Sequence, residues 1–328
     1  MLRSSFVIDV AAVSNALVSP PVLFFGLGLG ATAVRSDLRI PEQISKFLSL
    51  YLVTAIGFKG GVALRAEGWS TALGLTLAAG VGLGVVIPFV ARAILMRLGR
   101  VGPVDAAAIG AHYGSVSLVT FLTAQAFLER MDIPAEGFMV AVLAIMESPA
   151  IIVGVALAGR AGSGAAAPLG RVLAGSVTHG SLLLLIGATA IGLASGARGL
   201  ADVEGFLVTP FTGLLVLFLL DMGLLAGRRL GAFRTYGWRL AACGIILPLI
   251  GGVAGSGVGA LIGLSTGGTT LLAVLAASAS YIAAPAAIRD AVPDADPGLS
   301  IGLALGVTFP FNLVVGIPLY AVISSALT

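Results

Sequence analysis

Ten apolar runs, separated by short polar segments, constrain this chain more than any other feature of its sequence. A helix needs about 20 mostly apolar residues to cross the roughly 30 Å hydrocarbon core of a bilayer, and it satisfies its own backbone groups there. We therefore predict an all-α polytopic membrane protein with about ten transmembrane helices. The predicted spans are residues 11–34, 43–60, 69–97, 104–128, 137–159, 170–195, 205–227, 237–263, 269–288 and 299–326.

The composition excludes most other classes of protein. Hydrophobic residues make up 58% of the chain and charged residues 10%, whereas a soluble domain has roughly 25% charged residues. The single cysteine, Cys243, excludes a disulfide, and the two histidines lack further ligands at the spacing of a transition-metal site. No Walker, nucleophile-elbow or H-E-x-x-H motif occurs, so we expect neither an enzyme nor an organic cofactor. The net charge of +3 gives no reason to expect a nucleic-acid partner.

The distribution of positive residues predicts the orientation in the membrane. With the N-terminus outside, thirteen of the 18 Lys and Arg residues lie in or beside the cytoplasmic connections and five on the other side. Cytoplasmic loops carry such an excess of positive charge. We therefore predict a membrane protein with both termini outside and a retained first span.

Three recurring features indicate two homologous halves. Lys59 and Asp221 each end a span and are 162 positions apart, Pro134 and Pro293 are 159 apart, and Pro149 and Pro310 are 161 apart. The symmetric placement of Lys59 and Asp221 also allows an ion pair between them. An odd number of spans in each half forces the halves into opposite orientations, which is the inverted-repeat plan of secondary transporters. The predicted organisation is a first repeat over residues 1–160, a short cytoplasmic joint over 161–169 and a second repeat over 170–328.

Two helix interruptions are the predicted substrate site, because carriers of this plan bind substrate near the midplane where helices break. Residues 112–120 and 278–285 are rich in Gly, Ser and Pro at equivalent places in the fourth and ninth spans. A half-helix that begins at a break offers free N–H groups and a positive dipole end to a small anion. The predicted substrate-binding residues are Gly114, Ser115, Ser117, Thr120, Ser278, Ser280 and Tyr281.

A few polar residues inside the spans have alternative interpretations. Glu147, beside Pro149 in the fifth span, suits cation coordination or proton exchange, or a structural hydrogen bond. Thr308 and Asn312 could join it around a sodium ion, since hard cations prefer oxygen ligands. We interpret Asp105 as the N-terminal cap of the fourth helix and His112 as either a packed residue or a proton relay.

The chain resembles the SbtA-type sodium-dependent bicarbonate transporters, first recognised in cyanobacteria, over nearly its whole length. The segments that carry the resemblance are Ile56–Arg65, Val104-Asp105-Ala106, Gly114–Thr120, Ile133-Pro134, Glu147-Ser148-Pro149-Ala150, Ala276–Ser280, Arg289 with Pro293 and Pro297, and Gly316–Leu319. The resemblance implies a trimeric protein of ten spans, embedded in the lipid bilayer of the bacterial inner membrane, that couples sodium to the uptake of a small anion.

The binding segments depart from the family pattern. The first break of the family reads V-S-G-S-T, whereas this chain has Val116-Ser117-Leu118-Val119-Thr120. The second reads S-S-S-D-I-S-G-P, and here Tyr281 replaces the acid and Ala283-Ala284 replace Ser-Gly. Tyr281 therefore either lines or blocks the site. Cyanobacterial members have a long polar joint, and the short joint here argues against a PII-like regulatory partner.

Three functions remain open at this point. The first is sodium-coupled uptake of a small anion, with bicarbonate as the leading substrate and sodium as the coupling ion. The second is a proton-coupled carrier of a small carboxylate that uses Glu147. The third is a membrane-embedded sensor or channel without active transport.

Overall fold

A computed structural model describes residues 18–161, 180–233 and 237–328. Over these residues the regular secondary structure is entirely helical. Twelve helices, numbered here in chain order, account for it: α1 (Pro20–Ala33), α2 (Glu42–Glu67), α3 (Thr71–Gly99), α4 (Pro103–Gly114), α5 (Leu118–Arg130), α6 (Met139–Arg160), α7 (Gly180–Leu207), α8 (Phe211–Phe233), α9 (Trp238–Ile262), α10 (Thr266–Ala277), α11 (Ala283–Ala291) and α12 (Pro297–Leu327).

Eight segments of the described chain are long and apolar enough to cross a membrane. They are α2, α3, α4 together with α5, α6, α7, α8, α9 and α12, whereas α1 and α10 are shorter apolar helices. Residues 11–17 of the predicted first span, residues 162–169 of the predicted joint and residues 170–179 of the predicted sixth span lie outside the described residues. The polytopic all-α class predicted from the apolar runs is therefore confirmed.

Four helices pack in two pairs that each join an early helix to a late one. A Cβ at Gly28 of α1 would overlap the backbone of α8 at Leu220, and Gly223 of α8 stands equally close to Phe25. Gly61 of α2 and Gly192 of α7 make the same kind of contact between those two helices. Small residues at such contacts let helix backbones approach closely. Close packing of this kind stabilises helix pairs in a bilayer, where the hydrophobic effect does not drive helices together.

The interrupted helix formed by α4 and α5 lies at the centre of the structure, and nearly all residues of its apolar part are buried. Gly110 packs against the backbone of Pro88 in α3, and Gly114 fits between Pro88 and Ala150 of α6. In the second half, Gly251 and Gly255 of α9 contact the backbone of α10 in the same way. Both interrupted helices are thus enclosed by neighbours rather than by lipid.

Two sequence-based interpretations of charged residues are corrected by the structure. The cap of α4 is Gly102, and the carboxylate of Asp105 instead accepts the backbone N–H of Asp296 at 2.8 Å, joining the two halves. Asp221 accepts a hydrogen bond from Ser45 at 2.5 Å, and Lys59 forms its ion pair with Glu129 at 3.4 Å. The symmetric positions of Lys59 and Asp221 therefore do not make them partners of each other.

Candidate functional site

The first interruption separates α4 from α5 over three residues. Ser115 and Ser117 have extended backbones, with φ/ψ of −94°/121° and −104°/112°. The Ser117 hydroxyl caps α5 by accepting the backbone N–H of Thr120 at 3.3 Å, and the Thr120 hydroxyl donates to the same oxygen at 3.0 Å. Serine hydroxyls compete in this way with the backbone hydrogen bonds of a helix, so the break follows from the local sequence.

The second interruption separates α10 from α11 and repeats this arrangement. Ser278 ends α10 with an extended backbone, at φ −89° and ψ 160°. The Ser280 hydroxyl accepts the backbone N–H of Ala284 at 3.2 Å, inside the first turn of α11. Pro285 lies in that same turn, where proline does not cost the helix a hydrogen bond.

The two interruptions contact each other directly. The Ser280 N–H donates to the carbonyl oxygens of His112 and Ser115, both at 2.8 Å, and the Ser117 N–H donates to the Ser278 hydroxyl at 2.9 Å. His112 Nδ1 lies 2.7 Å from the Ser280 carbonyl oxygen and must donate, because a carbonyl oxygen only accepts. Each break therefore supplies the hydrogen-bond partners that the other has lost.

A cavity of about 30 Å³ lies beside this crossing. Its polar lining comes from Ser117, Ser280, Tyr281, Glu147 and Ser181, and the remaining lining residues are apolar. A water molecule needs roughly 10–15 Å³ of such space, so in this conformation the cavity holds about two waters, and it must widen to take two ions together.

The N-terminal ends of two half-helices border this cavity, through Leu118 of α5 and through Ile282 and Ala283 of α11. The N–H groups of Leu118, Ile282 and Ala283 make no hydrogen bond to any residue that the structure describes. Unpaired N–H groups at a helix start carry a partial positive charge. Glu147 also makes no hydrogen bond or ion pair within the described ranges. The cavity thus brings two positive helix ends together with one carboxylate.

Comparison with known proteins supplies the context for this geometry. A family model described as the Na⁺-dependent bicarbonate transporter superfamily matches residues 20–325. The chain belongs to this superfamily. It is therefore a multi-pass membrane protein of a transporter family rather than an enzyme, and the family implies a small anion and sodium as its ligands. No curated protein matches the chain.

The predicted substrate residues of this superfamily member fall into two sets. Ser117, Ser280 and Tyr281 line the cavity. Gly114, Ser115, Thr120 and Ser278 stand behind it, in helix packing or in the bonds between the breaks. The Ser115 hydroxyl is buried and has no hydrogen-bond partner among the described residues.

Tyr281 lines the cavity without filling it. Its ring packs edge-on against Phe309, with centroids 5.8 Å apart, and its hydroxyl lies 3.7 Å from the sulfur of Met222. The aromatic side chain that replaces the acid of the family pattern therefore contacts α8 and α12, and its hydroxyl also interacts with the Ser117 side chain at the first break.

The structure does not bring Thr308 and Asn312 to the cavity that holds Glu147. The Thr308 hydroxyl donates to the Gly244 carbonyl at 2.8 Å and shares a 2.5 Å hydrogen bond with the Tyr113 hydroxyl. The Asn312 amide donates to the Ala277 carbonyl at 2.9 Å. Both residues lie in π-helical segments of α12, Ala304–Thr308 and Asn312–Gly316, which turn them towards α9 and α10.

Sequence reasoning missed two contributors to the cavity. Ser181 and Leu185 of α7 also line the cavity, and no pattern in the sequence connects them with residues 117 or 280. His112 was recognised as polar and central, but its bond to Ser280 follows only from the crossing of the two helices.

Proposed function

We propose that this chain is a secondary carrier that takes up bicarbonate together with sodium. One observation carries the proposal, namely that two interrupted helices direct their N-terminal ends at a single cavity that also contains Glu147. The superfamily match supports the same substrate pair.

The anion is assigned to the helix ends. The unpaired N–H groups of Leu118, Ile282 and Ala283 and the hydroxyls of Ser117 and Ser280 can replace the hydration shell of a small oxyanion. Groups fixed by the helices need no reorganisation when the anion arrives, and burial strengthens each hydrogen bond relative to water.

Sodium is assigned to Glu147, the acidic side chain that lines this cavity. Each helix N-terminus carries about +0.5 of an elementary charge, so two of them roughly balance one carboxylate. An anion would meet no net attraction there unless a cation first neutralised Glu147. This balance gives a physical reason for coupling, and the sodium proposal rests on Glu147 without Thr308 or Asn312.

Uptake into proteoliposomes tests the proposal. An inward sodium gradient is expected to drive accumulation of labelled bicarbonate by the purified protein. Glu147→Gln, which keeps the shape and removes the charge, is expected to abolish the dependence on sodium. The matched control Glu42→Gln removes a carboxylate from an exposed pair with Lys46 and is expected to leave uptake unchanged.

Other outcomes of this assay, or of a conductance measurement, would replace the proposal. Uptake of a small carboxylate that follows a pH gradient and survives removal of sodium would select a proton-coupled carrier. Ligand-independent conductance in planar bilayers would select a channel. A Glu147→Gln protein with the sodium dependence of the wild type would refute the assignment of the cation.

The architecture supports a related proposal of two inverted repeats with ten crossings. Adding 162 to the residue numbers of α3 to α6 brings their ranges onto those of α9 to α12, and the interruptions coincide within three residues. Both termini then lie outside the bacterial inner membrane, and the resemblance adds a homotrimer. Side-specific labelling of single introduced cysteines tests the orientation, and the mass of the detergent-free particle tests the trimer.

A further inference from the structure

A second cavity lies across the helix crossing from the first. It has a volume of about 80 Å³ and is enclosed by α4, α11, α12 and the connection between the last two. His112 belongs to its wall, and the bond from His112 Nδ1 to the Ser280 carbonyl stands between the two cavities. By the same measure of roughly 10–15 Å³ for a water, this space accommodates a small oxyanion.

Three polar groups of this cavity are complementary to one kind of ligand. Arg289 is an exposed cation at its rim, and it forms no ion pair with any side chain that the structure describes. Ser300 is 2% exposed, and its hydroxyl has no hydrogen-bond partner among those residues. Among the side chains that the structure describes, the lining includes no acid. An anion with free acceptor oxygens fits the guanidinium and the hydroxyl.

The third group, His112, narrows the class of anion. Its Nδ1 carries the proton that is donated to Ser280, so Nε2 has a free lone pair and no partner within the described chain. His112 is 1% exposed, and Nε2 therefore requires a donor from inside the cavity. A singly protonated oxyanion supplies both the negative oxygens and one O–H.

We propose that this cavity is a second binding site for a small protonated oxyanion, held by Arg289, Ser300 and His112. Bicarbonate has the required size, charge and hydroxyl. The choice of bicarbonate as ligand rests on the proposed function, whereas the site itself rests on the geometry. Two sites on opposite faces of the crossing would hold the anion in succession, before and after it passes the bond between His112 and Ser280.

Equilibrium binding of ¹⁴C-bicarbonate to the purified full-length protein, with sodium present, tests the site. The wild type is expected to bind two anions per chain. Arg289→Ala is expected to bind one with unchanged affinity, and Arg289→Lys to retain two. Arg39→Ala, which removes an exposed arginine from a loop, is the matched control and is expected to retain two. Nitrate, which has no hydroxyl, is expected to compete about tenfold less well than unlabelled bicarbonate at the site that Arg289→Ala removes.

Ser300→Ala provides a smaller change in case Arg289→Ala does not fold, and it is expected to weaken the second site about tenfold. One anion per chain in the wild type, or two that survive both substitutions, would overturn the inference. Sodium-driven uptake is measured separately, so a carrier with a single site would remove this inference and leave the proposed function intact.

Discussion

The Ser278 hydroxyl offers the sharpest test of the contact between the two breaks. It is fully buried, accepts the Ser117 N–H at 2.9 Å and donates to the Leu275 carbonyl at 2.9 Å. Ser278→Ala removes both bonds and leaves a buried N–H at the first break without an acceptor. Such a loss costs about 1–3 kcal/mol.

That cost is expected to appear in anion binding. The Ser117 N–H is part of the turn that starts α5 and orients its N–H groups towards the cavity. If the unpaired group relaxes by shifting this turn, the site must be restored when the anion binds. Because about 1.4 kcal/mol corresponds to tenfold in affinity, the apparent KM for bicarbonate should rise roughly 5- to 150-fold.

The assay is sodium-driven uptake into proteoliposomes, measured together with the thermal unfolding of the same protein. Ser324→Ala is the matched control, because Ser324 is also fully buried and makes a 3.5 Å contact with Ser256, away from the cavity. A Ser278→Ala protein with the KM of the wild type would refute the reasoning, since the bond between the breaks would then contribute nothing to the site.

Substitutions of Gly114 and His112, each compared with a second variant, test the packing and the hydrogen bonding of the interrupted helices. Gly114→Ala would place a methyl group 2.5 Å from that of Ala150 and should cost about 1–3 kcal/mol in thermal or denaturant unfolding. Gly74→Ala meets nothing within 4 Å and should be neutral or stabilising by up to about 1 kcal/mol, so equal effects of the two would contradict the packing. His112→Ala should lower the uptake rate, and His112→Asn should partly restore it, because an amide N–H can reach the Ser280 carbonyl. Equal rates in these two proteins would show that the bond is dispensable.

The positions of the helices could be predicted from the sequence because lipid imposes one dominant requirement on each. The predicted run 104–128 corresponds to Pro103–Arg130, and the run 299–326 to Pro297–Leu327. The helix interruptions could also be predicted, because Gly114, Ser117 and Ser278 weaken the helical ladder through local chemistry. The apolar run and the helix-weakening residues are each contained within one segment of the sequence, so neither depends on which helices meet.

The partners of polar groups could not be predicted, because they depend on which helices meet. Asp105 stands in the first turn of α4, as a capping residue would, but the backbone of Asp296 lies within its reach. Thr308 and Asn312 were grouped with Glu147 by residue type alone. The π-helical segments of α12 direct Thr308 and Asn312 to Gly244 and Ala277 instead. Such segments cannot be predicted from hydrophobic periodicity.

The mutual dependence of the two breaks has a consequence for coupling. The N–H groups of Ser117 and Ser280 are already used between the breaks, so the groups assigned to the anion are those of Leu118, Ile282 and Ala283, one to three residues further along the chain. Those groups and Glu147 share one small cavity, so the charge of any occupant acts on every other. If sodium binds at Glu147 as proposed, it raises the affinity for an anion at the helix ends, and linkage requires the anion to raise the affinity for the cation by the same factor. A site built in this way favours the pair of ions over either one alone, which is the property that a symporter needs and a channel does not.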